Sequence, residues 1–223
     1  AVVASLSTTQ IRALTTGQIE ALETTQFDVL TTAQIAALST SQIAVIETAD
    51  LAVLDSRDLA SLTTTQIRAL TTAQLAALST AQWDNILTSQ IAVLTTAQVA
   101  ALETRDVAVF DSLQIRALET SQIAALTTDQ VSVIGLDAIA GLETQDLVLF
   151  STAQIQALTT AQFDVLSTTQ LEALSTRQIA VIQTADLAVL DSSDLASFTS
   201  VQIRALTTAQ LGALSTAQWD DML

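Results

Sequence analysis

The chain has 223 residues and a net charge of −16, with no Pro, Cys, His, Tyr or Lys and only four Gly. Because His, Cys, Lys and Tyr perform most acid–base, nucleophilic and metal-ligand chemistry, this inventory argues against an enzyme and predicts no catalytic residue and no cofactor. The acidic balance argues against nucleic-acid binding, which needs basic patches, and no apolar run approaches the ~18 residues that cross a bilayer, so no membrane insertion is expected.

A sequence repeat extends along the chain almost from its first residue. Ala1 to Ser5 carry neither an initiator Met nor a basic leader and run directly into the repeat. We therefore expect a segment of a longer parent chain whose neighbours are further repeats. An apolar residue then returns every eight residues from Leu6 to Met222. Residues 1–223 are predicted to form a single continuous array of octads.

Each octad predicts one short helix. The consensus is Leu-Thr-Thr-Ala-Gln-Ile-Ala-Ala, as in residues 30–37, and we number its positions one to eight from the Leu. Ala, Gln and Leu favour helix, and the apolar residues at positions six and one lie three apart on one helical face. A start signal in every octad implies a stop in every octad. We therefore predict helices of ~5 to 6 residues, too short to persist without stacking on neighbouring turns.

These short helices predict an all-α fold. One continuous helix is excluded because its apolar stripe would rotate by ~80° per octad and have nothing to pack on. Equivalent octads imply equivalent environments, so each helix forms one side of a polygon, with positions one, six and eight facing a shared axial core. The prediction is a miniature α-solenoid with about two to three repeats per turn. The alternative is a β-solenoid, because Thr, Ile and Val favour strands.

The hydroxyl residues at positions two and three predict the start of each helix. Thr15 and Gln18 have the Thr-x-x-Gln spacing of a capping box, which places the cap at position two. Position three is Thr or Ser in every octad except at Leu136, and this near-invariance favours position three instead. Sequence does not separate the two registers. The caps assigned by the second argument are Thr16, Thr32, Thr72, Thr160 and Thr208.

Position five predicts a ladder of side chains along the corners. It is Gln or Asp in every octad except at Ala138. Each corner exposes orphan backbone amides and carbonyls, and a Gln at a fixed place in stacked turns can bridge them. Asp replaces Gln where only an acceptor is required. The predicted ladder residues are Gln18, Gln34, Gln74, Gln162 and Gln210.

Three aspartates that occur twice are candidate calcium ligands. Ca²⁺ takes six to eight oxygen ligands, often from carboxylates. Asp at position two or five also suits the positive end of a helix, and this interpretation is favoured, so no metal site is predicted. The candidates are Asp50, Asp55, Asp58, Asp186, Asp191 and Asp194.

A longer repeat is superposed on the octads. Residues 27–87 match residues 163–223 at an offset of 136 residues, with 13 differences. The two segments are copies of a longer 136-residue module. Trp83 and Trp219 correspond in the two copies and occupy position six, where a large core residue is favoured over an anchor for a sugar or a partner.

The octad also carries a family resemblance. Residues 31–38, Thr-Thr-Ala-Gln-Ile-Ala-Ala-Leu, and residues 71–78, Thr-Thr-Ala-Gln-Leu-Ala-Ala-Leu, resemble repeats of very large bacterial surface or secreted proteins that are labelled haem-utilisation or adhesion proteins. The resemblance covers the whole chain and implies an extracellular or cell-surface array. It transfers no haem-binding residue, because iron ligation needs His, Met, Cys or Tyr and the sole candidate is Met222.

The favoured function is a structural spacer or display arm of a large bacterial surface or secreted protein. The alternative is an adhesive repeat module that binds a protein or glycan through variable positions two, four and seven. End-to-end self-association is also expected, because the last residues, Trp219 to Leu223, lie within the repeat and no polar capping repeat follows them.

Overall fold

The protein is helical throughout the part that the structure describes. A computed structural model describes residues 3–221. This part holds a 3-10 turn at Val3–Ser5 followed by 27 α-helices, and it contains no strand. The predicted all-α solenoid of short helices is confirmed, and the alternative β-solenoid is wrong.

Every helix begins at position three of its octad and is four to six residues long. The helices are α1 Thr8–Ala13, α2 Thr16–Glu20, α3 Thr24–Phe27, α4 Thr32–Ala37, α5 Thr40–Ile43, α6 Thr48–Leu51, α7 Ser56–Ser61, α8 Thr64–Ala69, α9 Thr72–Ala76, α10 Thr80–Asp84, α11 Thr88–Ile91, α12 Thr96–Ala100, α13 Thr104–Val107, α14 Ser112–Arg116, α15 Thr120–Ala125, α16 Thr128–Ser132, α17 Leu136–Ala140, α18 Thr144–Leu147, α19 Thr152–Ala157, α20 Thr160–Asp164, α21 Thr168–Ala173, α22 Thr176–Ile179, α23 Thr184–Leu187, α24 Ser192–Ala196, α25 Ser200–Ala205, α26 Thr208–Ala213 and α27 Thr216–Asp221. None of the described helices is long and apolar enough to cross a membrane.

Helices three octads apart pack against one another. The chain divides into two compact units, Ala1–Val109 and Phe110–Leu223. In the first unit α1 contacts α4, α2 contacts α5 and α3 contacts α6; in the second, α14 contacts α17, α16 contacts α19 and α24 contacts α27. Within each unit, one turn therefore takes three octads, or 24 residues, which is the upper end of the predicted range.

Two consecutive extended residues make each corner. Leu14, at position one, has φ −61° and ψ 139°, and Thr15, at position two, has φ −72° and ψ 161°. The N–H of Leu14 still donates to the carbonyl of Ile11 at 3.2 Å, so the helix closes with a tight last turn before the chain bends. No described residue has a positive φ. The corners therefore need neither Gly nor Pro, which explains why the array can be built almost without them.

Positions one and six form the core, and position eight lies mostly at its edge. Ile43 and Ile46, at positions six and one, are buried. Position eight was predicted to face the core, and it does so only in part: Ala37 is buried, whereas Val29 and Val53 are 41% and 36% exposed. The physical reason is that position eight follows position six by two residues, about 200° around a helix, which points its side chain away from the core.

The octad that departs most from the consensus still forms a helix. Helix α17 follows Gly135, which supplies no side-chain cap. Ala138 replaces the Gln of position five and is buried together with Ile139. The apolar frame is therefore sufficient to place a helix here without the cap and the ladder residue.

Candidate functional site

The helix caps lie at position two. Thr15 is the N-cap of α2, and its hydroxyl accepts from the N–H of Gln18 at 3.2 Å, while the Gln18 Oε1 accepts from the N–H of Thr15 at 2.9 Å. The assignment of position three is therefore wrong for Thr16, Thr32, Thr72, Thr160 and Thr208, each of which is the first residue of its helix. A capping box requires the Gln to be the third residue after the cap, and only position two has that spacing and the extended backbone of a cap.

Several octads keep the second half of the box without a side-chain cap. Glu23 makes no cap bond through its side chain, yet its N–H donates to Gln26 Oε1 at 2.8 Å. A position-five Gln therefore satisfies the cap amide even where the position-two side chain makes no cap bond, as at Glu23. The helices without a side-chain cap bond follow Glu23, Glu47, Leu87, Glu103, Glu119, Gly135, Glu143 and Gln183.

The other end of the same Gln binds the previous turn. Gln74 Nε2 donates to the carbonyl oxygens of Ile43 and Ile46, each at 2.8 Å. These carbonyls belong to positions six and one of a corner 31 and 28 residues earlier in the chain. Gln34, Gln162 and Gln210 donate in the same way to Val3 and Leu6, to Val131 and Ile134, and to Ile179 and Ile182.

Each such Gln is buried and links two turns, because its side-chain amide makes all the hydrogen bonds available to it. Gln74 is 3% exposed, and both its oxygen and its two N–H groups have partners. Gln18 lies in the first turn that the structure describes, is exposed, and makes only the capping bonds. A buried amide with all of its bonds made fixes the register between turns, because any shift would leave several polar groups unsatisfied.

Aspartate at position five cannot make the second set of bonds. Asp50 Oδ1 instead accepts from the Thr24 hydroxyl at 2.8 Å, and Asp186 Oδ1 accepts from the Thr160 hydroxyl at 2.8 Å. Asp is shorter than Gln and has no N–H, so it acts only as an acceptor. A position-three hydroxyl of the previous turn then supplies the donor.

Four of the six calcium candidates form capping pairs, and the six do not gather into a site. Asp55 Oδ1 accepts from the N–H of Asp58 at 2.9 Å, and Asp58 Oδ2 accepts from the N–H of Asp55 at 3.3 Å. Asp191 and Asp194 repeat this pair at 2.9 and 3.1 Å. The described residues include no group of three or more His, Cys, Asp or Glu that could hold a metal ion.

The two equivalent tryptophans differ in exposure. Trp83 is 1% exposed and packs in the first unit beside Leu59, Leu75 and Leu78. Trp219 is 37% exposed. Met222 and Leu223, which complete the end predicted to self-associate, lie outside the described residues.

One surface groove in the second unit contains a buried carboxylate. This Asp146 groove, of about 460 Å³, lies between the start of α15 and the start of α18. It is lined by Arg116, Leu118, Glu119, Thr120, Ser121, Glu143, Gln145 and Asp146. Asp146 is 6% exposed, and its side chain makes no hydrogen bond or ion pair with any described residue. Burial and the charge of Glu143 raise the pKa of the Asp146 carboxyl.

The groove walls carry further carboxylates. Glu143 accepts from Gln145 Nε2 at 2.6 Å through Oε2, and its Oε1 lies 3.9 Å from Arg116 Nη2. Both members of the Arg116–Glu143 pair are about half exposed, so water screens their attraction. Glu119, Glu143 and Asp146 outnumber the one Arg, and the groove is therefore acidic.

The sequence matches the model of a known repeat family. A model described as the ALTTAQ repeat matches residues 1–24, 19–56, 51–85, 99–134, 139–176 and 179–216. The chain belongs to the ALTTAQ repeat family. Each of the five longer matches covers 35 to 38 residues, so the family model describes several octads at once. No curated protein matches the chain.

The free energy of unfolding of this ALTTAQ array should depend on proton binding by one buried carboxyl group at a corner. Asp106, at position five of α13, is buried, and burial raises the pKa of its carboxyl to about 6, although the N–H of Glu103 and the Arg105 guanidinium act in the opposite direction. A pKa raised in the folded state means that protonation favours folding. The stabilisation is complete below the unfolded pKa of about 3.9 and is lost as the pH rises through about 6.

We therefore expect the free energy of unfolding to increase from about pH 7 to about pH 4, by about 2 kcal/mol more in the wild type than in Asp106→Asn, which cannot titrate. Urea unfolding of both proteins across this range measures the difference. Parallel pH profiles would show that Asp106 does not bind its proton more tightly in the folded state.

Proposed function

We propose that this chain is a structural spacer or display arm in a large bacterial surface or secreted protein, with further repeats as its neighbours in a longer parent chain. The ladder of position-five Gln side chains carries the proposal. Each ladder Gln ties its own helix start to the corner of the previous turn, as Gln74 does with Thr71, Ile43 and Ile46. In this fold the most regular polar groups hold neighbouring turns together. Such a fold is suited to bearing mechanical force and to keeping the segments on either side of it apart.

The residue inventory supports a non-enzymatic role. The whole sequence has no His, Cys, Lys or Tyr, and the caps and ladder use most position-two hydroxyls and position-five amides. The side chains at positions two, four and seven face outward and vary between octads, as expected of a solvated surface. The resemblance to surface and adhesion proteins supports an extracellular location.

Stretching single molecules tests the spacer. If turns are held by the ladder, the array should resist low force and then lengthen in steps that are multiples of one 24-residue turn, about 80 Å when extended. Relaxation should restore the steps, since each turn needs only its neighbour to refold. Continuous lengthening at low force, without steps, would contradict the proposal.

The second candidate is an adhesive module that binds a protein or glycan. The Asp146 groove favours it, because a buried carboxylate without a partner is costly unless something pairs with it. The two roles are compatible, since a spacer can carry a binding groove on one of its turns.

A further inference from the structure

The Asp146 groove occupies a place that a glutamine amide normally fills. At a ladder corner the Nε2 group donates to the position-six and position-one carbonyls of the previous turn, as Gln178 does to Leu147 and Phe150, both at 2.9 Å. By the same spacing, the carbonyls facing Asp146 are those of Ile115 and Leu118. Asp146 has no side-chain N–H to donate, and none of the Gln side chains among the described residues donates to either carbonyl.

Two equivalent corners are closed around an aspartate, and in each of them one carboxylate oxygen is hydrogen-bonded while the other is buried without a partner. Asp50 and Asp186 accept from Thr24 and Thr160, the position-three hydroxyls of the previous turn. The equivalent hydroxyl for Asp146 belongs to Thr120, and the two side chains are not hydrogen-bonded, although both line the groove. Asp146 therefore differs from Asp50 and Asp186 in lining a groove and in having no donor for its carboxylate.

The Asp50 corner makes the comparison especially close. Glu23, Thr24, Glu47 and Asp50 occupy the same octad positions as Glu119, Thr120, Glu143 and Asp146, one turn apart in each case. Asp50 is 1% exposed, whereas Asp146 is 6% exposed and opens into the groove. The same set of carboxylates is thus closed in the first unit and open in the second.

We propose that the Asp146 groove binds an organic cation rich in N–H donors, an ammonium or a guanidinium group, whose N–H groups take the place of the missing ladder amide. Leu118 offers a carbonyl and Asp146 a carboxylate, both acceptors, while Glu119 and Glu143 add negative charge at the rim. An ammonium has three N–H donors and a guanidinium has five, and charged donors strengthen hydrogen bonds to carboxylates. The raised pKa of Asp146 agrees with this, because a bound cation would offset both of its causes.

The cation can come from a free polyamine or from a Lys or Arg side chain of a protein. The probes are spermidine and the capped tripeptides acetyl-Gly-Lys-Gly-amide and acetyl-Gly-Arg-Gly-amide, each titrated into the ¹⁵N-labelled full chain at constant ionic strength. Tetramethylammonium is the control, because it carries the same type of charge without an N–H. Tighter binding of spermidine indicates a free polyamine, and tighter binding of a tripeptide indicates a protein side chain.

We expect saturable shifts of the amide signals of residues 118–121 and 143–146, with little change around Asp50. Asp146→Gln restores the consensus residue and should fold normally while weakening binding about tenfold. Asp50→Gln, the matched control, should leave the affinity unchanged. Equal responses to tetramethylammonium, equal affinity of Asp146→Gln, or no saturable shift with any probe would each overturn the proposal. None of these outcomes bears on the spacer role, which the stretching experiment tests separately.

Discussion

Replacing Gln74 by Ala should lower the free energy of unfolding by ~3 to 4 kcal/mol, a large effect for a single polar side chain. The variant loses the bond from the N–H of Thr71 and the two bonds to the carbonyls of Ile43 and Ile46, all at 2.8 Å. Gln74 is buried, so water cannot easily replace these partners. The better helix propensity of Ala offsets only a few tenths of a kcal/mol.

Gln18→Ala is the matched control for this prediction. Gln18 accepts from the N–H of Thr15 at 2.9 Å but is exposed, so its removal should cost ~1 kcal/mol or less. Urea unfolding followed by Trp83 fluorescence, in a Trp219→Phe background, reports on the unit that contains both positions. Similar costs for the two variants would mean that the bonds between turns add nothing to the cap bonds.

Replacing Trp83 by Ala should cost ~3 to 5 kcal/mol, because it empties the largest fully buried side chain of the described core. The apolar cavity beside Trp83 measures only about 10 Å³, so its neighbours are already close-packed. Short helices that depend on stacking have little capacity to collapse into the space.

Trp219→Ala provides the comparison at the equivalent position of the second module copy. Trp219 is 37% exposed, and its removal should cost under about 1 kcal/mol. Circular dichroism at about 222 nm during thermal unfolding follows both variants without relying on tryptophan fluorescence. A larger loss of stability in Trp219→Ala than in Trp83→Ala would show that exposure does not decide the cost here.

The repeat period, the helix in each octad and the identity of the ladder residue could be predicted from the amino-acid sequence alone. These follow from local rules: Ile35 and Leu38 lie three residues apart on one helical face, and a Gln such as Gln34 stands three residues after a hydroxyl. The repetition makes every local signal appear many times, so one consistent interpretation covers almost the whole chain.

The cap register needed the backbone conformation. Thr15 and Thr16 both have a hydroxyl at the start of α2, and the near-invariance of position three favoured the wrong one. Only the structure shows that the extended residue is Thr15. The partial exposure of position eight could have been predicted from the sequence, because the angle between positions six and eight follows from helix geometry alone.

The number of octads in a turn and the closure of individual corners follow from the packing of the helices and could not be predicted. No local property of an octad fixes the bend at its corner, so three octads per turn emerges from the packing of α1 on α4 and its equivalents. Asp50 and Asp146 have the same octad position and the same acidic neighbours, yet one accepts a Thr hydroxyl and the other opens into a groove. The difference lies in whether a side chain of one turn reaches a carboxylate of the next, and that distance is set by stacking between residues 26 apart in the chain.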